Sequence, residues 1–147
     1  MLTASPKGWP STVYSLSENN AEIGSFNVKT ASHDLFLQGS AYKLQRTGAI
    51  KGEYFIESAG KVIAHAKHAG LLSSTIVIEY AGKEYNMKGA GMFSGSFGLF
   101  EGGKRVGNLT FNGKNVTADL PQEIPLPVRT FILWLTLLIG LAAAAKR

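Results

Sequence analysis

Apolar and polar residues alternate in short runs from Thr12 to about Leu120, and glycine or asparagine residues separate the runs. Ile76, Ile78 and Tyr80 form the apolar face of one such run. Alternation with a period of two residues is typical of half-buried β-strands, and the region lacks the period of a helix. The pattern therefore predicts roughly 10–12 short strands over about 12–120.

Glycine followed by lysine marks several boundaries between the runs, at residues 59–61, 81–83, 102–104 and 112–114. Tight hairpin turns need positive φ, which glycine adopts without steric cost, so each motif predicts a hairpin turn. No segment between the runs is long enough for a crossover helix, which favours antiparallel strands. Glycines inside the runs, such as Gly24, indicate the bends that a sheet needs to close into a barrel without exposed edges.

The C-terminal segment has a different pattern. Pro127 suits the first turn of a helix, and the cations at 146–147 complement the negative end of a helix dipole. We expect a helix over about 126–145, in which Thr136 is the only polar side chain after Phe131. A helix that is apolar on every side must be enclosed by protein or by lipid.

Length favours enclosure by protein, because a membrane span needs about 20 apolar residues and this stretch has nearer 15. A helix about 10 Å across would fill a barrel of this strand number. We therefore predict a mainly β protein, a closed antiparallel β-barrel enclosing a hydrophobic C-terminal α-helix. The structural core residues of that helix are predicted to be Phe131, Trp134, Leu135 and Leu138. The alternative is a tail-anchored membrane protein with a cytoplasmic β-domain and a C-terminal transmembrane helix.

The 147 residues are the length of one ordinary domain, so a single domain over 1–147 is expected. The chain has no cysteine, which excludes disulfides and thiolate chemistry and fits a reducing compartment. The N-terminus lacks the apolar stretch of a signal peptide, so we expect a cytoplasmic location, peripheral to the membrane or, in the alternative, anchored by the helix. The net charge of +5 favours anionic partners but has no block typical of nucleic-acid binding.

Three motifs suggest chemistry, and each has a simpler interpretation. His65 and His68 would point to opposite faces of a strand, which argues against a metal pair. His33 beside Asp34 lacks the spacing of a nucleophile triad. The glycine-rich stretch 89–97 lacks the Gly-Lys-Ser/Thr of a phosphate loop and is interpreted as a strand connection. We therefore expect no enzymatic activity, no cofactor and no metal.

Lysine and arginine residues are scattered along the strands and turns. If several converge on one rim of the barrel, they would bind anionic lipid headgroups, at about 1 kcal/mol each near a charged membrane. The candidate anion-binding residues are Lys83, Lys104, Arg105 and Lys114. The predicted function is a non-enzymatic binding or structural module for anionic phospholipid or a protein partner, and the sequence does not determine the oligomeric state.

The order of motifs near the C-terminus resembles a known family. After the Gly-Lys hairpins, an acidic-Leu-Pro strand end at 119–121 leads through the prolines of 124–128 to Phe131, Trp134 and Leu135. This order is similar to that of the tubby C-terminal-like superfamily, which includes tubby proteins, phospholipid scramblases and LURP-one-related proteins, and most of all to its small bacterial members. The resemblance covers most of the chain and implies a twelve-stranded barrel threaded by its own C-terminal helix. For the tubby proteins it implies phosphoinositide binding.

Overall fold

Twelve antiparallel strands and one helix make up the computed structural model, which describes residues 1–7, 13–27, 32–47, 52–69, 75–89, 96–112 and 114–145. Residues 32, 33 and 140–145 are described through their backbone alone. The elements in chain order are β1 (Leu2–Pro6), β2 (Val13–Glu18), β3 (Ala21–Asn27), β4 (Ser32–Leu37), β5 (Ser40–Thr47), β6 (Glu53–Ser58), β7 (Lys61–His68), β8 (Ile76–Tyr80), β9 (Lys83–Gly89), β10 (Ser96–Glu101), β11 (Lys104–Asn112), β12 (Asn115–Asp119) and α1 (Leu126–Ala145). Consecutive strands pair, and β1 also pairs with β12, so the predicted closed barrel is confirmed.

The strand that closes the barrel, β1, lies before the region in which the sequence pattern predicted strands. Leu2 pairs with Ala118 of β12 on one side and with Glu18 of β2 on the other. Leu2 and Ala4 point into the core and are fully buried. The run is only five residues long and ends in proline, so its alternation is too short to be distinctive. The predicted helix bounds agree with α1.

The two ends of the barrel differ in their connections. At one end, named the tight-turn end, two-residue turns lie at 19–20, 38–39, 59–60, 81–82 and 102–103. Both residues of each turn have positive φ, as hairpin turns of type I′ require. The turns predicted at 59–60, 81–82 and 102–103 are therefore confirmed, whereas the fourth motif includes Gly113, which lies outside the described residues. The other end, named the loop end, is where β1, β3, β5, β7, β9 and β11 finish.

The strand register repeats three times around the barrel. The hairpins β2–β3, β6–β7 and β10–β11 each contain a one-residue bulge, which leaves Ile23, Ile63 or Val106 without an opposite residue. Between the units, buried residues pair at equivalent positions: Ala4 with Leu16, Leu44 with Ile56 and Met87 with Leu99. The barrel thus consists of three four-stranded units, β2–β5, β6–β9 and β10–β12 with β1. The last strand of the third unit is β1, from the beginning of the chain, since the element that follows β12 is the helix α1 rather than another strand.

The helix fills the axis of the barrel. Phe131, Trp134 and Leu135 are fully buried, and Leu138 is half-buried against the core. The indole Nε1 of Trp134 donates a hydrogen bond of 3.2 Å to the carbonyl oxygen of Asn27 on β3. On another side its ring meets Tyr54 of β6 edge to face, with centroids 6.0 Å apart. Among the described residues, no helix is long and apolar enough to cross a membrane.

One charged side chain lies inside the barrel at the start of the helix. Arg129 is 8% exposed, and its Nη1 contacts the carboxylate of Glu18 at 2.6 Å. Its Nε donates a hydrogen bond of 2.9 Å to the carbonyl oxygen of Ile124. Because a buried charge is costly unless it is paired and hydrogen-bonded, this pair fixes the beginning of the helix to β2 at the tight-turn end.

Replacing the central indole should strongly destabilise the fold. Trp134→Ala removes a fully buried ring and should lower the free energy of unfolding by about 3–5 kcal/mol. Phe36→Ala, at a ring that is 58% exposed, is the control and should change it by about 0.5 kcal/mol or less. Urea unfolding followed by far-ultraviolet circular dichroism measures both variants, and equal effects would contradict an enclosed helix.

The barrel should also lose stability at alkaline pH. Burial raises the pKa of Tyr14 and Tyr54, and burial together with the nearby Glu101 and Glu123 raises the pKa of Tyr85. Above the ordinary tyrosine pKa of about 10, the unfolded chain releases these protons first, so the free energy of unfolding should fall as pH rises. Urea titrations at a series of pH values test this, and Tyr54→Phe should flatten the fall; an unchanged profile in that variant would refute the assignment.

Candidate functional site

The four predicted anion-binding residues are divided between the two ends of the barrel. Lys83, Lys104 and Arg105 follow two-residue turns at the tight-turn end. Lys114 lies between β11 and β12 at the loop end. The four side chains therefore do not form one cluster.

The tight-turn end is rich in carboxylates. Of the ten Asp and Glu residues, all except Asp34 and Glu53 lie within two residues of a turn at this end or between Asp119 and Glu123. They are Glu18, Glu22, Glu57, Glu79, Glu84, Glu101, Asp119 and Glu123. Such a surface weakens the attraction of an anion to Lys83 and Lys104.

Arg105 is engaged on the outer wall of the barrel. Its guanidinium lies 5.8 Å from the centroid of the Phe100 ring, and its Nε donates a hydrogen bond of 2.7 Å to Asn108. Lys88 approaches the same ring, with Nζ 5.4 Å from the centroid. Gly98 leaves room for this packing, because a Cβ there would lie 2.8 Å from the Phe100 ring. These contacts within the protein explain the position of the Arg105 side chain without a bound ligand.

An open groove of about 470 Å³ lies on the outer wall beside the bulge of β7. Glu79 and Glu84, which are directly opposite each other on β8 and β9, line it together with His65 and with the predicted Lys83. Two facing carboxylates repel each other and repel an anion. The groove therefore does not fit the predicted ligand class.

The loop end carries the opposite charge. Each of β1, β5, β7, β9 and β11 finishes at this end with a cation within two residues of its last residue, and Glu53 is the carboxylate nearest to them along the strands. We name these residues the basic ring: Lys7, Arg46, Lys67, Lys88 and Lys114. Within the ring, Lys7 also forms an exposed ion pair of 3.8 Å with Glu22. Because the strands that carry them are distributed around the barrel, the cations encircle this end.

Polar side chains of three adjacent strands lie together on the inner face of the wall at the loop end among the described residues, and we name them the inner lip: Arg46, Tyr54 and His68. Their register matches that of neighbouring buried residues, such as Leu44 on β5 and Ala66 on β7. The rings of Tyr54 and His68 are 6.2 Å apart. Burial raises the pKa of Tyr54, and the charge of Arg46 lowers it in part.

The helix ends at the same end of the barrel. Trp134 hydrogen-bonds to Asn27, the last residue of β3, so it lies level with the ends of the strands. The helix continues to Ala145, about 16 Å farther along its axis at ~1.5 Å per residue. Leu138 and Ile139 are half-buried, and the sequence from 138 to 145 contains no polar side chain. An apolar element therefore lies at the centre of the basic ring.

The histidine pair occupies the predicted opposite faces of β7. The ring of His65 stacks on Phe55 at 4.9 Å, whereas His68 contacts Tyr54, the neighbouring residue on the other face of β6. In the described parts of the chain, no group of three or more His, Asp or Glu residues is arranged to hold a metal ion. The side chain of His33 and most of the glycine-rich stretch 89–97 lie outside the described residues.

Sequence reasoning did not select Lys7, Arg46, Lys67 and Lys88 as a group. The signal that identifies them is strand direction, because each cation stands near the end of an odd-numbered strand. The direction of each strand can be assigned only when all the strands before it, including β1, have been identified.

Comparison with protein-family models, curated proteins and solved structures gives no match. The resemblance to the tubby C-terminal-like superfamily thus stays a prediction from the residues between Leu120 and Leu138.

Proposed function

We propose that this barrel is a non-enzymatic binding module that docks its loop end on the surface of an anionic lipid membrane. The observation that carries the proposal is the basic ring around the end of an apolar helix. Electrostatic attraction orients the barrel, and the tight-turn end, with most of the carboxylates, faces away from the lipid.

The arrangement of the cations favours an extended anionic surface over a small soluble ligand. A pocket for one small anion gathers its cations at one point, whereas those of the basic ring stand on or beside five of the six odd-numbered strands of the barrel. A plane of headgroups at the loop end meets the cations of several strands at once. A protein partner would need a comparably flat acidic face, so the membrane is the simpler match to this geometry.

The centre of the loop end supplies the apolar component of such a contact. Leu138 and Ile139 are half-buried, and Phe97 and Phe111 form a ring pair of 6.4 Å on the inner wall close to the same end. Apolar and aromatic groups framed by lysine and arginine are typical of proteins that lie on the membrane interface. The burial of Phe131, Trp134 and Leu135 within the barrel supports docking as a folded unit, rather than the alternative in which these side chains enter lipid.

Binding of this kind should be reversible and sensitive to salt. Each cation near an anionic leaflet contributes about 1 kcal/mol, and the field decays over about 8 Å at physiological ionic strength. Five cations thus give at most about 5 kcal/mol, and less because Lys7 is paired with Glu22 and Lys88 lies over Phe100. This is weaker than stable anchoring.

A pair of charge variants tests the proposal at equal net charge. Lys67→Gln with Lys114→Gln removes two cations of the basic ring and should weaken binding to vesicles containing phosphatidylglycerol by about 30-fold. Lys61→Gln with Lys104→Gln removes two cations at the tight-turn end and should change it by about twofold or less. Vesicle sedimentation at low salt measures both.

Vesicles of pure phosphatidylcholine are the lipid control and should not retain the protein. Equal losses in the two double variants would mean that net charge alone governs binding, and no binding of the native chain to anionic vesicles would reject the proposed function.

A further inference from the structure

We propose that the inner lip, formed by Arg46, Tyr54 and His68, is a binding site for a phosphoryl group and that protonation of His68 strengthens it. The proposal rests on the docking of the loop end described above and adds to it a specific ligand site and a dependence on pH.

The three residues come from adjacent strands and from one face of the sheet. Arg46 is paired directly with Tyr54 across β5 and β6, and Tyr54 with Ala66 across β6 and β7. His68 stands two residues beyond Ala66, on the same face, with its ring 6.2 Å from that of Tyr54. The hydroxyl of Tyr54 lies beside Gly52, the residue before β6 begins at the loop end, because a Cβ on Gly52 would stand 2.9 Å from it.

The chemistry of this set matches a phosphoryl oxyanion. The guanidinium group of arginine presents paired N–H donors to phosphate oxygens, and a tyrosine hydroxyl donates one more hydrogen bond. A neutral imidazole offers one donor, whereas an imidazolium offers two donors and a positive charge. The lip therefore gains both charge and donor capacity when His68 is protonated.

The residues around His68 leave its added charge and hydrogen-bond donor available to a ligand. Among the described residues, β6 faces it with Tyr54 and β8 with Ile76 at the paired position. Arg46 is the nearby cation on the inner face. Glu53 is paired with Lys67 on the outer face and does not share the lip.

Imidazole is the side chain that gains a positive charge on mild acidification. Protonation adds a charge on acidification, so affinity for an anionic surface should rise as pH falls. One added charge near the leaflet corresponds to about a fivefold increase.

The test measures partition to phosphatidylcholine vesicles containing phosphatidylglycerol, whose phosphodiester keeps its charge over this range, at about pH 5.5 and about pH 7.5. The native chain should bind about fivefold more tightly at the lower pH. His68→Gln should remove this difference, and His68→Arg should bind at the higher pH as the native chain does at the lower. His65→Gln, on the outer face of the same strand, is the matched control and should keep the fivefold difference.

Soluble dimethyl phosphate distinguishes a headgroup site from attraction to a charged surface. In nuclear magnetic resonance titrations, it should shift the signals of Arg46, Tyr54 and His68 more strongly at the lower pH, while the signals of His65 stay unchanged.

A pH effect on vesicle binding that survives His68→Gln, or that His33→Gln removes instead, would overturn the proposal. Vesicle binding without any pH effect would reject the inner lip alone, whereas no vesicle binding at either pH would reject the proposed function beneath it.

Discussion

The enclosure of one apolar helix by the sheet is the constraint on which the rest of the structure depends. A helix that is apolar on every side cannot face water, and a closed sheet of twelve strands needs a filler for its interior. Each element thus supplies what the other lacks. Two of the polar side chains brought inside are paired: Arg129 with Glu18 and with the carbonyl oxygen of Ile124, and the Thr136 hydroxyl, which donates to the carbonyl oxygen of Ile132 at 3.0 Å. The helix is consequently fixed in position along the barrel axis.

The alternating direction of the strands gives the two ends of the barrel different charges. Every odd-numbered strand runs towards the loop end and every even-numbered strand runs away from it. A lysine or arginine near the end of an odd-numbered strand therefore has its backbone at the loop end, and most carboxylates stand near the other end. The helix emerges at the cationic rim because it follows β12, which finishes at the tight-turn end. Strand direction, helix direction and charge thus point to one surface for binding.

Much of the fold could be predicted from the sequence, because it depends on short-range signals. Alternation identified the strands after Thr12, glycine marked three of the turns, and the apolar run identified the helix. The turn at 19–20 was missed because asparagine supplies its positive φ in place of glycine. The closing strand β1 was missed because its run of five residues, which ends in proline, is too short for its alternation to be distinctive.

The candidate site could not be predicted in the same way, because position in the sequence does not reveal which end of a barrel a residue occupies. Lys83 and Lys88 belong to one strand, β9, and stand at its opposite ends. Lys104 and Lys114 are separated likewise by the length of β11. Grouping lysines by their turn motifs therefore combined residues from both rims, whereas grouping them by strand direction yields the basic ring.

Amide hydrogen exchange of the native chain in lipid-free buffer tests the enclosure of the helix most directly. If the barrel wraps its own helix, the amides from Phe131 to Leu137 should be among the slowest to exchange and should open only when the whole domain unfolds. Exchange of these amides within minutes, while those of the strands stay protected, would show that the helix lies outside the barrel and would contradict the account.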